Sequence, residues 1–183
     1  GFAVEADGTT PRLISGGSVD YVVRPLGFYV EAIDNPAAAS STGDVYRAAG
    51  ADFTVEVSAV GWDAGDDGNT DGVPDGYGND DPTDNADLSN NAVLPAFGSE
   101  GTNEVVGLES VLWLPSGGND PDLTGETALN GTAFADSSEI GSGQAAAVVQ
   151  YPEVGVIELR AGVDNYLGGG RSIPGRSTAV GRF

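Results

Sequence analysis

The chain of 183 residues contains no cysteine, histidine, lysine or methionine, and each of these absences removes a class of function. Without cysteine no disulfide can hold the fold together, and thiols say nothing of the redox compartment. Without histidine or cysteine there is no Ser/His/Asp or Cys/His nucleophilic arrangement, and zinc lacks its usual ligands. Without lysine there is no Ser-Lys pair, Schiff base or P-loop, and no Lys to Asn isopeptide cross-link. No run of about 18 apolar residues occurs, so the sequence predicts no membrane insertion. The chain opens on neither an initiator methionine nor a signal peptide, so it reads as a mature segment or an excised piece of something longer.

Positive charge is scarce. Seven arginines face 28 acidic residues, for a formal net charge of −21. That balance makes nucleic acid and anionic lipid poor partners, and suits surroundings saline enough to screen the self-repulsion. The length is ample for one domain with a real core, so neither metal nor disulfide is required merely to fold.

The periodicity that is present is that of strands. In Phe53 to Ala59 the apolar residues Phe53, Val55, Val57 and Ala59 alternate with Thr54, Glu56 and Ser58, the pattern of a half-buried antiparallel strand. Ile157 to Ala161 and Phe28 to Ala32 repeat it, and 145–150 and 19–23 are further candidates. Leu108 to Leu114 is apolar in both phases and reads as a central strand. Clusters such as Ser116 to Pro121 and Gly168 to Gly170 supply turns, and no segment sustains a helical period. The expected fold is all-β: an antiparallel β-sandwich of immunoglobulin-like type over 25–183, with 1–24 an N-terminal extension or the end of a preceding module.

Between two strands lies the densest chemistry of the chain, Asp63 to Asp87, with nine aspartates, three asparagines and no basic residue. Hard divalent cations take six to eight oxygen ligands, and glycine lets the backbone turn between them. Asp67, Asn69 and Asp71 fall at positions 1, 3 and 5 of an EF-hand-type loop and Gly72 at its turn. Val73 would offer a carbonyl and Asp75 a direct or water-mediated oxygen, while Asn79, Asp80, Asp84 and Asn85 could complete this site or build a second. The closing Glu is replaced by Gly78, and Pro74 with its glycines forbids flanking helices. The loop therefore resembles the thrombospondin type 3 and dockerin-like class, with Ca2+ as the implied ion. A solvated acidic linker has a similar composition. The regular Asp/Asn/Gly order, and the repulsion among nine unneutralised carboxylates, favour calcium.

Arg24 to Phe28, Tyr46 to Phe53, Tyr151 to Val156, Tyr166 to Gly168 and Val180 to Phe183 together resemble the large C-terminal region of MshQ-like proteins. These are long secreted proteins encoded with the mannose-sensitive haemagglutinin class of type IV pili in marine and other Gram-negative bacteria. The resemblance implies an extracellular, cell-surface or pilus-associated module acting in adhesion or as a spacer. It supplies no catalytic residue. In that family the terminal Gly-Arg-Phe runs on into further sequence, so the chain reads as a fragment.

Other candidates have a plain counterpart. A glycosidase carboxylate pair would have to come from Glu104, Glu109, Glu153 or Glu158, but Glu109 and Glu158 occupy the polar phase of strands and Glu153 follows Pro152 in a turn. The chain is expected not to be an enzyme. Trp62 and Trp113 fall at strand positions and are expected in the core. Tyr77, surrounded by Asp75, Gly76, Gly78 and Asn79, is expected on display beside the ion as a ligand-contact residue. Asn130-Gly-Thr132 matches a glycosylation sequon but reads as a turn. Arg160, Arg171, Arg176 and Arg182 are expected to pair with the chain's own carboxylates. Pilus or cell-surface components, or surface glycans, are the expected partners; a calcium-dependent lectin and a self-associating filament subunit are the alternatives.

Overall fold

A computed structural model describes residues 2–4, 11–13, 23–101, 104–136 and 140–183. The strand expected over 19–23 lies, Val23 apart, outside the described residues. Near the N-terminus β1 (Phe2–Val4) pairs antiparallel with β2 (Pro11–Leu13) as a two-stranded sheet.

The remaining strands form one nine-stranded mixed sheet. They are β3 (Gly27–Ala32), β4 (Asp52–Val60), β5 (Val105–Leu114), β6 (Thr124–Gly125), β7 (Ala128–Asn130), β8 (Gln144–Gln150), β9 (Val156–Val163), β10 (Ile173–Arg176) and β11 (Val180–Gly181). Their order is β6-β8-β4-β3-β10-β9-β5-β7, with β11 also on β9. All neighbours are antiparallel except β10 and β3, which run parallel through the pairs Gly175–Phe28 and Arg176–Tyr29. Hydrogen bonds thus follow one continuous path where two separate antiparallel sheets were expected.

The two ends of that path are joined by the chain itself. β6 borders β8, β7 borders β5, and only Glu126 and Thr127 lie between them. Glu126 N–H donates to the Val148 carbonyl at 3.0 Å and the Thr127 carbonyl accepts from Leu108 N–H at 2.8 Å. Consecutive residues therefore reach opposite edges, which requires the sheet to curl until those edges meet.

The curl encloses the core that the alternation specified. Phe28, Val30, Phe53, Val55, Val57, Val149, Ile157, Leu159 and Ile173 are buried in one cluster, closed by Phe97, Phe134, Tyr151, Tyr166 and Phe183. Phe134 sits on a helical turn over Gly131–Ala135, capped by the Asn130 side chain accepting from Thr132 N–H. The sequon asparagine is therefore a cap. β10 went unpredicted because Pro174 and Gly175 are poor strand formers. Its glycine is nevertheless required, since a Cβ on Gly175 would stand 2.5 Å from the Phe28 Cβ.

Leu108 to Leu114 is not the expected central strand. β7 borders only Val105 to Gly107, so the rest of β5 pairs with β9 alone and carries a bulge between Leu112 and Leu114. Half-burial on both faces follows, and Trp113, at the bulge, is half-buried.

Phe134→Ala should cost about 3 to 5 kcal/mol, because it empties the space against Phe97 and Phe28, whose ring centroids lie 5.0 and 6.1 Å away. Val105→Ala, at an exposed position, should change stability by no more than about 0.5 kcal/mol. Urea unfolding of the two variants checks the pair; equal costs would contradict this placement of the core.

Candidate functional site

The acidic segment leaves the end of β4 and comes back to it. Gly61 N–H donates to the Ala92 carbonyl at 2.8 Å, Leu94 N–H donates to Ala59 at 2.9 Å, and Val60 bridges Val93. With its ends so close, the excursion is a compact loop laid back on the protein rather than a linker. Within it Asp75 N–H donates to Asp66 and Ala86 N–H to Asp75, at 2.7 and 2.9 Å.

This loop lies on the outer face of the sheet. Its anchor is apolar: Tyr77 and Leu88 pack with Leu26 and Val60, and Tyr29 and Ala86 border them. Gly27 leaves room for the contact, because a Cβ there would meet Leu88 at 3.2 Å and Pro74 at 3.4 Å. Tyr77 is only 7 % exposed, and its hydroxyl accepts from Arg176 N–H at 3.2 Å. Burial pushes its phenol well above the ordinary range. The expectation that Tyr77 is displayed is thus corrected: flanking glycines and aspartates describe the turn around it, while its ring is the loop's own hydrophobic anchor.

Three arginines hold the loop's oxygens. Arg24 donates to the Gly72 carbonyl, and Arg176 donates to the carbonyls of Tyr77, at 2.8 Å, and Asn79. Arg160 forms a salt bridge with Asp80 at 2.5 Å. Beneath them Glu158 is 1 % exposed, accepting from Arg160 Nε at 2.6 Å and Asn85 Nδ2 at 2.8 Å, with Arg176 Nη1 at 3.5 Å. Arg182 turns elsewhere, to the Ser41 carbonyl at 2.6 Å.

Glu158 was missed as a key residue because its alternation looks like that of a solvated strand face. A signal existed: Glu158 and Arg160 share one face of β9, and register pairs Arg160 with Arg176. Two of seven arginines beside one glutamate demand an acidic cover.

The predicted cation ligands fall into two groups. Asp67, 1 % exposed, accepts from Asp71 N–H through Oδ1 and from Gly72 N–H through Oδ2, both at 3.0 Å. Asn69 Oδ1 accepts from Asp71 N–H, Asp71 Oδ1 from Val73 N–H, and Asp75 Oδ2 from Gly68 N–H, at 2.9, 2.8 and 3.1 Å. These residues share one turn, in which Gly72 has φ +81°. Asn79 and Asp84 form a second group, joined at 2.9 Å. Asp80 belongs to neither, because the Arg160 guanidinium takes its carboxylate, and that contact holds its pKa below the ordinary 3.8.

Among the described residues, no three acidic, histidine or cysteine side chains gather into a group that could hold a metal. The donor chemistry of the first turn nevertheless suits a hard cation, since all its donors are oxygens and each carboxylate retains free lone pairs. Asp66, 8 % exposed, has a buried Oδ2 without a hydrogen-bond partner. A desolvated carboxylate oxygen of this kind is costly unless a donor or cation meets it. Trp62, expected in the core, is 58 % exposed and donates through Nε1 to Asp67 Oδ2 at 3.1 Å. Its strand ends at Val60, so the alternation no longer governs it.

Residues 24–147 match the family model described as DUF6701, second domain. The match covers roughly two thirds of the chain, and the chain belongs to this family. The matched stretch ends inside β8, yet β9 and β10 beyond it are hydrogen-bonded to β5 and β3 within it. No curated protein and no solved structure matches the chain. Among the described residues no helix is long and apolar enough to cross a membrane.

Arg176→Ala should cost about 1 to 3 kcal/mol, because Glu158 keeps Arg160 and Asn85 while the carbonyls of Tyr77 and Asn79 lose their donor. The pH dependence has a defined sign. Asp80 has a depressed folded pKa, so its contribution is present above 3.8 and is lost as pH falls through the lower folded value. Melting curves between about pH 7 and pH 2 should therefore show an acid-side decline, shared with the likewise depressed Asp81 and Asp87, that Asp80→Asn reduces slightly. A decline unchanged in Asp80→Asn would contradict the Arg160 clamp.

Proposed function

We propose that the chain is a calcium-clipped structural module of a bacterial cell-surface or pilus-associated protein of the MshQ-like kind, working outside the cell as a spacer with no catalytic role. Its curled sheet, closing on one core, corresponds in this reading to an immunoglobulin-like sandwich. The supporting observation is the turn from Asp67 to Asp75, where the first carboxylate draws in the N–H groups of Asp71 and Gly72. That places the alternate oxygens of Asp67, Asn69 and Asp71 on a single bend. Asp67, Asn69, Asp71, the Val73 carbonyl and Asp75 are the residues that would hold the ion. Burial of Tyr77 favours the spacer role over an adhesive one, because the residue best suited to touch a ligand fastens the loop instead.

A second reading has its own observation. Exposed Trp62 stands beside Asp67 and offers a ring face of the kind that stacks on sugars, as a calcium-dependent lectin would require. Attachment to glycans lost both in EDTA and in Trp62→Ala, with melting unchanged in that variant, would select it.

Extracellular calcium modules bind at about 0.1 to 1 mM, so about 1 mM calcium should stabilise the module by about 0.4 to 1.4 kcal/mol. The melting temperature should then fall by about 1 to 5 °C in EDTA. Asp71→Ala should abolish that shift, whereas Asp63→Ala should leave most of it, since the Asp63 side chain accepts from the local Gly65 N–H, outside the Asp67 turn. No shift, together with no calorimetric heat on calcium addition, would overturn the calcium clip.

A further inference from the structure

Away from the Asp67 turn, the returning limb of the acidic loop and the outer end of β3 enclose a cleft of about 470 Å³. This volume lies within the range of small-molecule sites. Tyr29, Glu31, Asn85, Asp87, Arg176 and Thr178 are among its lining residues, with Ala86 and Val180 supplying apolar surface. Loop and sheet build it jointly. The same Asn85 that bonds Glu158 and the Ser177 carbonyl forms part of its wall.

The lining is rich in acceptors. Asn85 spends its amide N–H groups on Glu158 and Ser177 and so fastens the wall, with its Oδ1 buried away from the open space. Glu31 and Asp87 add exposed carboxylates, and Asp87 accepts from the N–H and the side chain of Ser89. Tyr29 contributes a half-buried ring with a hydroxyl. Burial first, and the Glu31 and Asp87 carboxylates after it, push that hydroxyl up to about 12, so it remains a donor at neutral pH. A ligand matching this wall must bring many donors and one apolar face. Carboxylates on the rim, Asp34 among them, repel anions in a chain already at −21. Hydroxyls on a puckered carbon ring satisfy all of these demands.

We infer that this cleft binds a neutral saccharide, with the Asp87 and Glu31 oxygens accepting from its hydroxyls and the Tyr29 ring covering its C–H face. The site is separate from the calcium turn and from Trp62. It holds its ligand without an ion, which distinguishes it from the lectin reading above and makes it independent of the calcium clip.

The test is binding of the intact chain to an array of neutral, sialylated and amine-bearing glycans, in calcium and in EDTA. Calorimetry with the methyl glycoside of the best neutral ligand then gives the affinity. Neutral glycans should be bound equally under both conditions. Asp87→Asn preserves the cap on Ser89 but removes the charged acceptor, and should weaken binding about tenfold at an unchanged melting temperature. If Asp87→Asn lowers the melting temperature, Glu31→Gln on the exposed rim carries the same expectation, and Trp62→Ala should bind normally. The inference is overturned by any of three results: no neutral glycoside binding tighter than about 1 mM, a preference for sialylated or amine-bearing glycans, or binding lost in EDTA or in Trp62→Ala.

Discussion

The structure depends on one buried carboxylate. Glu158 lies under the acidic loop with Arg160, Arg176 and Asn85 around it, and each of these partners reaches both the sheet and the loop. An ionised group at that depth is tolerated only when it is paired and hydrogen-bonded. The loop supplies what completes the pairing: Asp80 for Arg160, and the carbonyls of Tyr77 and Asn79 for Arg176. Sheet and loop are therefore mutually dependent. A domain with 28 acidic residues and seven arginines spends three of those arginines on fastening one loop.

This arrangement changes what the acidic segment means. Nine carboxylates in a free linker would repel one another and extend. Here Asp63, Asp67, Asp71, Asp81 and Asp87 each accept backbone N–H groups a few residues on, so the chain folds against its own side chains. Aspartate serves first as turn chemistry and second as charge. In the proposed reading a calcium ion at the Asp67 turn would relieve the repulsion that remains.

The strands of the core were legible in the sequence because period-two alternation reports directly on a half-buried sheet. β3, β4, β8 and β9 each lie within a few residues of their expected positions. The curl was not legible: it rests on Glu126 and Thr127 bonding to opposite edges, a long-range fact with no local signature. β10 was hidden by Pro174 and Gly175, although close approach to Phe28 explains the glycine. At the site, the alternate oxygens and the Gly72 turn could be read, because spacing alone sets them. The roles of Tyr77 and Trp62 came out reversed. Local composition describes a residue's neighbours in sequence, whereas burial depends on which face of the sheet the loop covers.

Hydrogen exchange along the chain, measured in calcium and in EDTA, tests most directly the claim that the loop is a clip fastened to the sheet. Amides of Asp71, Gly72 and Val73, which donate to carboxylates of the Asp67 turn, should exchange faster without calcium. Those of Asp75 and Ala86, which knit the loop to itself above Glu158, should stay protected together with β9. Rapid exchange across 63–87 under both conditions would contradict the account, because a loop that exchanges freely is not held by Glu158 and its arginines.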